Sequence, residues 1–235
     1  MESRYNELSK EIEENIVNGI IIESNGTSNL FPVWNNEANL IAYISNQDND
    51  YFTDTNLHLY NIKDRTSNLI VEGVDSKPSW NNDIIYYSKR SKTPNKVGSK
   101  YYDLYEYNTL TKKEKRLTYD TRAFSPVFSE KDSSIFFLAT FDGTQNIYML
   151  DLKNNLTQQL TDFSDQEIIS GLNYDKETNR IIYDITYNHF RDIYYLSLTD
   201  STSGSIMNSH LSVSYTHLRA HETEADLVCR LLLEK

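Results

Sequence analysis

The chain has 235 residues, enough for one or two domains, and only 38% of them are hydrophobic, although eighteen tyrosines add area that can be buried. Its formal net charge of −11 argues against nucleic acid and anionic lipid as general partners, because an acidic surface repels both. No segment approaches the roughly eighteen apolar residues of a membrane span. No charged-then-apolar leader opens the chain, so either no secretion signal is used or the true start lies upstream of Met1.

Residues 1–24 are predicted to form an N-terminal helix followed by a lead strand. The apolar residues Tyr5, Leu8, Ile12 and Ile16 are spaced so that they share one helical stripe over residues 3–18. The pair Asn18-Gly19 is typical of a helix end. A cap on the first repeat is the favoured interpretation. The alternative is a docking helix, or the tail of a domain that precedes it.

Four copies of one sequence motif follow. The motif contains an aromatic residue, and the aromatic residues of successive copies are 46, 48 and 46 residues apart. A proline stands two residues before that aromatic in three copies, and Leu172 takes its place in the fourth. The repeat anchors are Pro32, Trp34, Pro78, Trp80, Pro126, Phe128 and Tyr174. Because the aromatics recur at one register, we expect them to be wedges between repeats rather than ligand-stacking groups.

Two further motifs recur at nearly the same spacing as the aromatic residue. The first begins with Asp or Asn followed by Leu or Ile, at residues 56–60, 103–107, 146–150 and 192–196, and the second is the Leu-Thr pair at 117–118 and 160–161. Each copy contains about four short runs of β-forming residues, and the second run, as at 135–138, is almost continuously apolar. A four-stranded sheet repeated with a period in the forties is typical of a β-propeller blade.

The predicted fold class is therefore all-β: a partial β-propeller of about four four-stranded antiparallel blades, preceded by the short helix. The predicted blades span residues 25–73, 74–120, 121–163 and 164–200, with a tail at 201–211.

The Pro-x-Trp phrase, the apolar strand, the Asp/Asn-Leu/Ile-Tyr motif and the closing Leu-Thr resemble the TolB-like (WD40-like) β-propeller repeat family over residues 27–200. The first turn of that family usually has the sequence Ser-Pro-Asp-Gly. None of the four copies has the glycine, so we expect Asn and Asp to form these turns. The resemblance implies a bacterial or archaeal protein of the periplasm or the cell exterior, although the missing leader leaves the cytoplasm open.

The last 24 residues, 212–235, resemble translated sequencing adapter. The bases of a transposase-based library adapter encode residues 213–223, and those of an outer adapter encode 226–234. The alternative is a natural amphipathic tail. We expect this segment to be an artefact and the propeller to be truncated, since TolB-like rings usually have six or more blades; its last blade would then leave one sheet face uncovered.

Setting that segment aside removes Cys229, the only cysteine, so disulfides and thiolate catalysis are excluded from the natural part of the chain. The remaining residues carry 20 basic and 30 acidic side chains, a net charge of −10.

In a propeller, the loops between second and third strands share one end with the connections between blades, and long loops on a rigid frame are where binding concentrates. We predict a binding face there, with ordinary variable loops as the alternative. Its candidate residues are Asp48, Asp50, Tyr51, Phe52, Asp54, Lys96, Lys100, Tyr101, His189 and Arg191.

No cofactor or metal is predicted. The spacing of Asp48, Asp50 and Asp54 resembles half of a calcium loop, but Thr53 and Leu59 stand where glycine and glutamate are expected. The lysines of the second loop lack the context of a phosphate-binding loop.

No catalytic residue is predicted either, because no nucleophile elbow or zinc helix is present. His189 beside Asp192 could form an acid–base pair, but an exposed loop histidine is the commoner case.

The sequence favours a non-catalytic binding or scaffold module for a protein or cell-envelope component, with a peptide or a saccharide as narrower ligands. One alternative is the propeller domain of a prolyl-oligopeptidase-like serine hydrolase. A sugar-acid lyase on a related propeller would need a metal-binding histidine cluster, which the sequence does not offer.

Overall fold

The computed structural model describes residues 28–198 apart from 48, 52, 142, 165, 166, 188 and 189. The predicted N-terminal helix and the adapter-like segment lie outside these residues. Within them the chain forms fifteen strands and no helix, and so none that is long and apolar enough to cross a membrane. The strands are β1 Asn29–Trp34, β2 Leu40–Ser45, β3 Asn56–Asn61, β4 Thr66–Glu72, β5 Ser79–Asn81, β6 Ile84–Arg90, β7 Tyr102–Asn108, β8 Lys113–Arg116, β9 Ala123–Ser129, β10 Ser134–Ala139, β11 Asn146–Asp151, β12 Leu156–Gln159, β13 Ile168–Asp175, β14 Arg180–Tyr187 and β15 Phe190–Ser197.

The strands make four antiparallel sheets in chain order: β1–β4, β5–β8, β9–β12 and β13–β15. Each sheet is a meander in which consecutive strands pair, so the predicted all-β propeller architecture is confirmed. The prediction of four strands per blade holds for three sheets. The fourth sheet has three strands among the described residues, because the described chain ends at Leu198, directly after β15.

Consecutive sheets pack face to face through their second and third strands. In the second sheet, Ile85 and Tyr87 point into the cluster shared with the first sheet, while Tyr86 and Leu104 belong to the cluster shared with the third. A third cluster joins the third and fourth sheets. Alternation along a strand puts neighbouring side chains on opposite faces, so a strand covered on both faces must be apolar throughout. This explains the continuous apolar runs of the sequence.

A polar anchor repeats beside two of these interfaces. Asp103 is fully buried and accepts hydrogen bonds from Thr118 Oγ1 at 3.1 Å and from the Thr121 backbone N–H at 3.0 Å. In the third sheet, Asn146 accepts from Thr161 Oγ1 at 2.9 Å. Each of these threonine hydroxyls also accepts the N–H of the residue that follows the anchor. The two landmarks therefore tie the start of the third strand to the connection that leads into the next sheet.

Three of the four repeat aromatics lie between sheets. Trp80 packs against the cluster of the first and second sheets, and Phe128 stacks on Tyr86 with the ring centroids 5.1 Å apart. Tyr174 meets Phe136 at 5.3 Å. Trp34 differs, since 54% of its surface is exposed and no described sheet precedes its own. Of the prolines, Pro78 and Pro126 are buried and Pro32 is exposed.

The turn between the first and second strands contains one residue with positive φ in every sheet. These residues are Ala38, Asn82, Ser133 and Asn179, with φ between 48° and 52°. The left-handed conformation is the one that glycine adopts in the family's usual turn. Asparagine fills it in two sheets, as expected, but alanine and serine fill it in the others. At those two turns the chain accepts backbone strain.

Replacing Trp80 with alanine should lower the free energy of unfolding by about 2–3 kcal/mol, less than the roughly 3–5 kcal/mol of a fully buried aromatic because Trp80 is only half-buried. The matched control Trp34→Ala should cost less than about 1 kcal/mol, because that side chain is mostly exposed. Urea unfolding followed by circular dichroism measures both. Equal losses in the two variants would contradict the placement of Trp80 between sheets.

Ala38→Gly should raise the free energy of unfolding by about 0.5–1 kcal/mol, since it relieves left-handed strain worth roughly 1–2 kcal/mol and adds a smaller entropic cost. Ala42→Gly, in the buried strand β2, should instead lower it by about 1 kcal/mol. Thermal melts compare the two variants. A loss of stability in Ala38→Gly would show that this turn is not strained.

Candidate functional site

A pocket of about 300 Å3 lies where the inner parts of the four sheets meet. The strands β1, β9 and β13 each contribute to its wall, and the second sheet contributes the connection that precedes β5. Its lining includes Phe31, Asp75, Lys77, Phe124, Ser125 and Asn173. Because each sheet supplies part of the wall, the pocket exists only when the sheets are assembled.

The wall of the pocket is built partly from β-bulges. The pairing register shifts between Leu30 and Val33 in β1, and similar shifts occur in β9 and β13. Phe31 and Ser125 lie at two of these shifts with φ of 54° and 50°. A non-glycine residue held at positive φ costs free energy, and such strain concentrates at binding sites, where bulges redirect side chains. The strained positions therefore mark this pocket as a candidate site.

Two hydrogen bonds organise the polar groups of the pocket. The Lys77 ammonium donates to Asn173 Oδ1 at 2.9 Å and so links the second sheet to the fourth, 96 residues away. The Tyr102 hydroxyl donates to Asp75 Oδ2 at 2.7 Å. One cationic and one acidic group thus lie at the same pocket.

The protonation of the acidic group is shifted by its surroundings. Desolvation raises the pKa of the Asp75 carboxyl above its ordinary value of 3.8, and the hydrogen bond from Tyr102 offsets only part of that shift. Desolvation and the same hydrogen bond raise the pKa of Tyr102 to about 12. The phenol therefore stays protonated at neutral pH and remains the donor.

The loop that joins β6 to β7 is ordered at the rim of the site. The Ser91 N–H donates to the Tyr101 carbonyl at 2.9 Å, and Asn95 Oδ1 accepts the N–H groups of Val97 and Ser99. The Arg122 guanidinium lies 4.5 Å from the centre of the Tyr101 ring and donates to its hydroxyl at 3.2 Å. This contact fixes the end of the loop to the connection between the second and third sheets.

The predicted site residues are spread over several places. In the first loop, Asp50, Tyr51 and Asp54 are exposed. In the second loop, Lys96 and Lys100 are exposed, and Tyr101 packs on Arg122 as described above. Asp48, Phe52 and His189 lie outside the described residues. Of the predicted set, Tyr101 contacts the connection between the second and third sheets through Arg122, and none lines the pocket as described.

Arg191 lies on the fourth sheet. It belongs to β15 and pairs with Asp184 at 2.8 Å on the face that points away from the third sheet. A metal ion needs several ligands close together. Within the described part of the chain, which does not include Asp48, no three His, Cys, Asp or Glu side chains lie close enough to hold one.

Sequence reasoning missed Asp75, Lys77 and Asn173, which carry the polar chemistry of the pocket. A signal was available for the first two, because Asp75-Ser76-Lys77 directly precedes the repeat anchor Pro78. That position places them on a connection between sheets, at the end where the long loops lie. Asn173 lies inside β13 and has no comparable mark.

The free energy of unfolding of Asp75→Asn, relative to that of the wild type, should increase as the pH rises from acid to neutral. The folded state binds the Asp75 proton more tightly than the unfolded state, so ionisation above the ordinary value of 3.8 lowers the free energy of unfolding in the wild type only. Urea unfolding of both proteins from about pH 3 to pH 7 measures the difference.

Asp151→Asn is the control of opposite sign. Hydrogen bonds from the Asn154 side chain and from the backbone N–H groups of Lys153 and Asn154 lower the pKa of Asp151. This variant should therefore lose stability relative to the wild type over the same rise in pH. A pH-independent difference for Asp75→Asn would contradict the desolvation of Asp75.

No protein-family model matches the chain, and no curated protein matches its sequence. Solved structures do match. Over 72% of this chain and 41% of the other, the fold is similar to that of TolB from Acinetobacter baumannii, with a TM-score of 0.57 and 17% identity. A puromycin-hydrolyzing peptidase from Mycobacterium tuberculosis gives a TM-score of 0.57 at 10% identity, over 76% of this chain and 29% of that one.

An oligogalacturonate lyase in complex with manganese matches with a TM-score of 0.55 at 10% identity, over 74% of this chain and 52% of that one. The chain thus spans between about a third and a half of these proteins. At these identities the likeness concerns architecture, and it agrees with the four stacked sheets described above. The chain has a TolB-like β-propeller fold.

Proposed function

We propose that this chain is a non-catalytic β-propeller module that binds a protein or cell-envelope partner at the end where the pocket and the long loops meet. The observation that carries the proposal is the pocket itself, whose wall is assembled from all four sheets and contains strained bulges. The pocket can also donate hydrogen bonds to a ligand. The Lys77 ammonium has three N–H groups and donates one of them to Asn173.

The lining favours a peptide segment of the partner as the ligand. Phe31 and Phe124 offer aromatic surface, while Lys77 and Asp75 offer one positive and one acidic group within the same pocket. Ligand pockets of about 300 Å3 and above typically combine apolar walls with a few placed polar groups. A peptide supplies both an apolar side chain and backbone polar groups, whereas a saccharide supplies mainly hydroxyls.

The rim adds charges of both signs. The loop between β6 and β7 exposes Lys92, Lys96 and Lys100, whereas the loop between β2 and β3 carries Asp50 and Asp54. Against a chain of net charge −11, the lysine loop is a local positive region. Such a distribution orients an approaching partner and favours one docking direction over others.

The main rival is the propeller domain of a prolyl-oligopeptidase-like hydrolase, which the likeness to a peptidase structure keeps open. In that case the same end of the propeller would face a second domain of the same polypeptide. A sugar-acid lyase would need a metal-binding histidine cluster, which the sequence does not offer. A periplasmic or extracellular location is part of the same proposal, and its support is the resemblance to the TolB-like repeat family.

Panning a random peptide display library on the full chain tests the proposal, with the selected peptides then synthesised and titrated by fluorescence anisotropy. Lys77→Glu should weaken their binding by about tenfold or more, because it reverses the charge inside the pocket. The matched control is Lys63→Glu, an exposed lysine in the β3–β4 turn at the opposite end of the sheets, which should leave affinity unchanged.

Peptides that bind Lys77→Glu as well as the wild type, or a wild type that selects no peptide, would contradict this function. A separate result decides for the rival. If the genomic reading frame continues beyond Leu211 into an α/β domain with a Gly-x-Ser-x-Gly elbow, the chain is the propeller of a hydrolase.

A further inference from the structure

The loop between β6 and β7 concentrates positive charge that the corresponding loops of the first and third sheets lack. Residues 90–101, which we call the basic hairpin, include no acidic residue and four exposed basic ones: Arg90, Lys92, Lys96 and Lys100. The loop of the first sheet, 46–55, has three aspartates and no basic residue, and that of the third sheet, 140–145, has one aspartate and no basic residue. Against the net charge of −11, the basic hairpin is thus a local exception.

The basic hairpin is ordered by its own hydrogen bonds. The Asn95 N–H donates to the Ser99 carbonyl at 2.8 Å, and Gly98 turns the chain with a φ of 81°. The Arg90 guanidinium donates to the Lys100 carbonyl at 3.1 Å. The hairpin backbone is therefore arranged before a ligand arrives, and such preorganisation lowers the entropic cost of association.

The lysine ammonium groups of the basic hairpin are little used within the chain. Lys92 approaches Glu72 at 4.0 Å, but the two side chains are 78% and 71% exposed, and exposed pairs of this kind are weak. Within the part of the chain that the structure describes, Lys96 and Lys100 form no ion pair. Their charges are available to a ligand.

Arg122 extends the positive region from the basic hairpin to the third sheet. Its guanidinium packs on Tyr101 at the end of the hairpin and donates to the Thr140 carbonyl at 3.4 Å. Phe141 follows Thr140 and is 47% exposed, and Val97 in the hairpin is 79% exposed. An apolar side chain thus accompanies the cations both within the hairpin and beside the residue that Arg122 contacts.

We propose that the basic hairpin and Arg122 bind an acidic segment of a partner protein, one that carries an apolar side chain among its carboxylates. This inference rests on the proposed function and names the chemistry of the partner at that end. Carboxylates match the ammonium and guanidinium groups, and the apolar side chain matches Val97 or Phe141. The aspartates of the loop 46–55 repel such a segment, so it lies on the side of the third sheet.

An anionic membrane or a nucleic acid fits the same charges less well. Both present an extended negative surface, which would repel the rest of a chain whose net charge is −11. Membrane binding also needs buried apolar area, and the exposed apolar residue of the hairpin, Val97, is small. A short acidic segment meets the basic hairpin without facing the remainder of the surface.

Fluorescence anisotropy on the full chain tests the inference with two labelled peptides of equal length. One consists of glutamate with a central leucine, and the other has glutamine in place of every glutamate. The wild type should bind the glutamate peptide at least about tenfold more tightly than the glutamine peptide, and added salt should weaken that binding because it screens exposed charges.

Two triple variants with the same change in net charge separate the basic hairpin from the charge of the whole chain. Replacing Lys92, Lys96 and Lys100 with glutamine should weaken binding of the glutamate peptide by about tenfold or more. The matched control replaces three exposed lysines of the turns at the opposite end of the sheets and should bind as the wild type does. These lysines are Lys63, Lys112 and Lys153.

Equal binding of the two peptides by the wild type, or equal losses in the two triple variants, would overturn the inference. Phosphatidylglycerol vesicles replace the peptides in a sedimentation assay. If the wild type binds them through the basic hairpin but does not bind the glutamate peptide, the hairpin is a lipid site and the inference is wrong. The proposed function is decided separately, because displayed peptides that depend on Lys77 but not on the hairpin lysines would retain it and remove only this inference.

Discussion

The structure depends on one constraint: a small sheet with two apolar faces must be covered on both. Phe136 and Phe137 are adjacent in β10, point in opposite directions, and are both fully buried, one against the fourth sheet and the other against the second. Burying one such side chain contributes about 1.5–3 kcal/mol, which no isolated sheet can collect on both faces. Stacking repeats against one another is the arrangement that satisfies this constraint, and it makes each sheet depend on its neighbours.

The position of the candidate site follows from the same stacking. Sheets that pack face to face around an axis bring their inner strands together, and the space left between those strands is the pocket. The apolar clusters lie to either side of it and hold the inner strands in place, so the bulges at Phe31 and Ser125 can keep positive φ. Packing energy between sheets thus maintains the local strain that shapes the site.

The sequence predicts the fold well because the repeat constrains many positions at once. The continuous apolar run of each second strand and the Asp103-type anchor both have a physical reason that is local to one sheet and its connection. Trp34 illustrates the limit, since a wedge is buried only where a preceding sheet exists, and its exposure depends on position in the array. The Lys77–Asn173 contact could not be predicted in this way, because the two partners are 96 residues apart in the sequence and only the packing of the sheets brings them together.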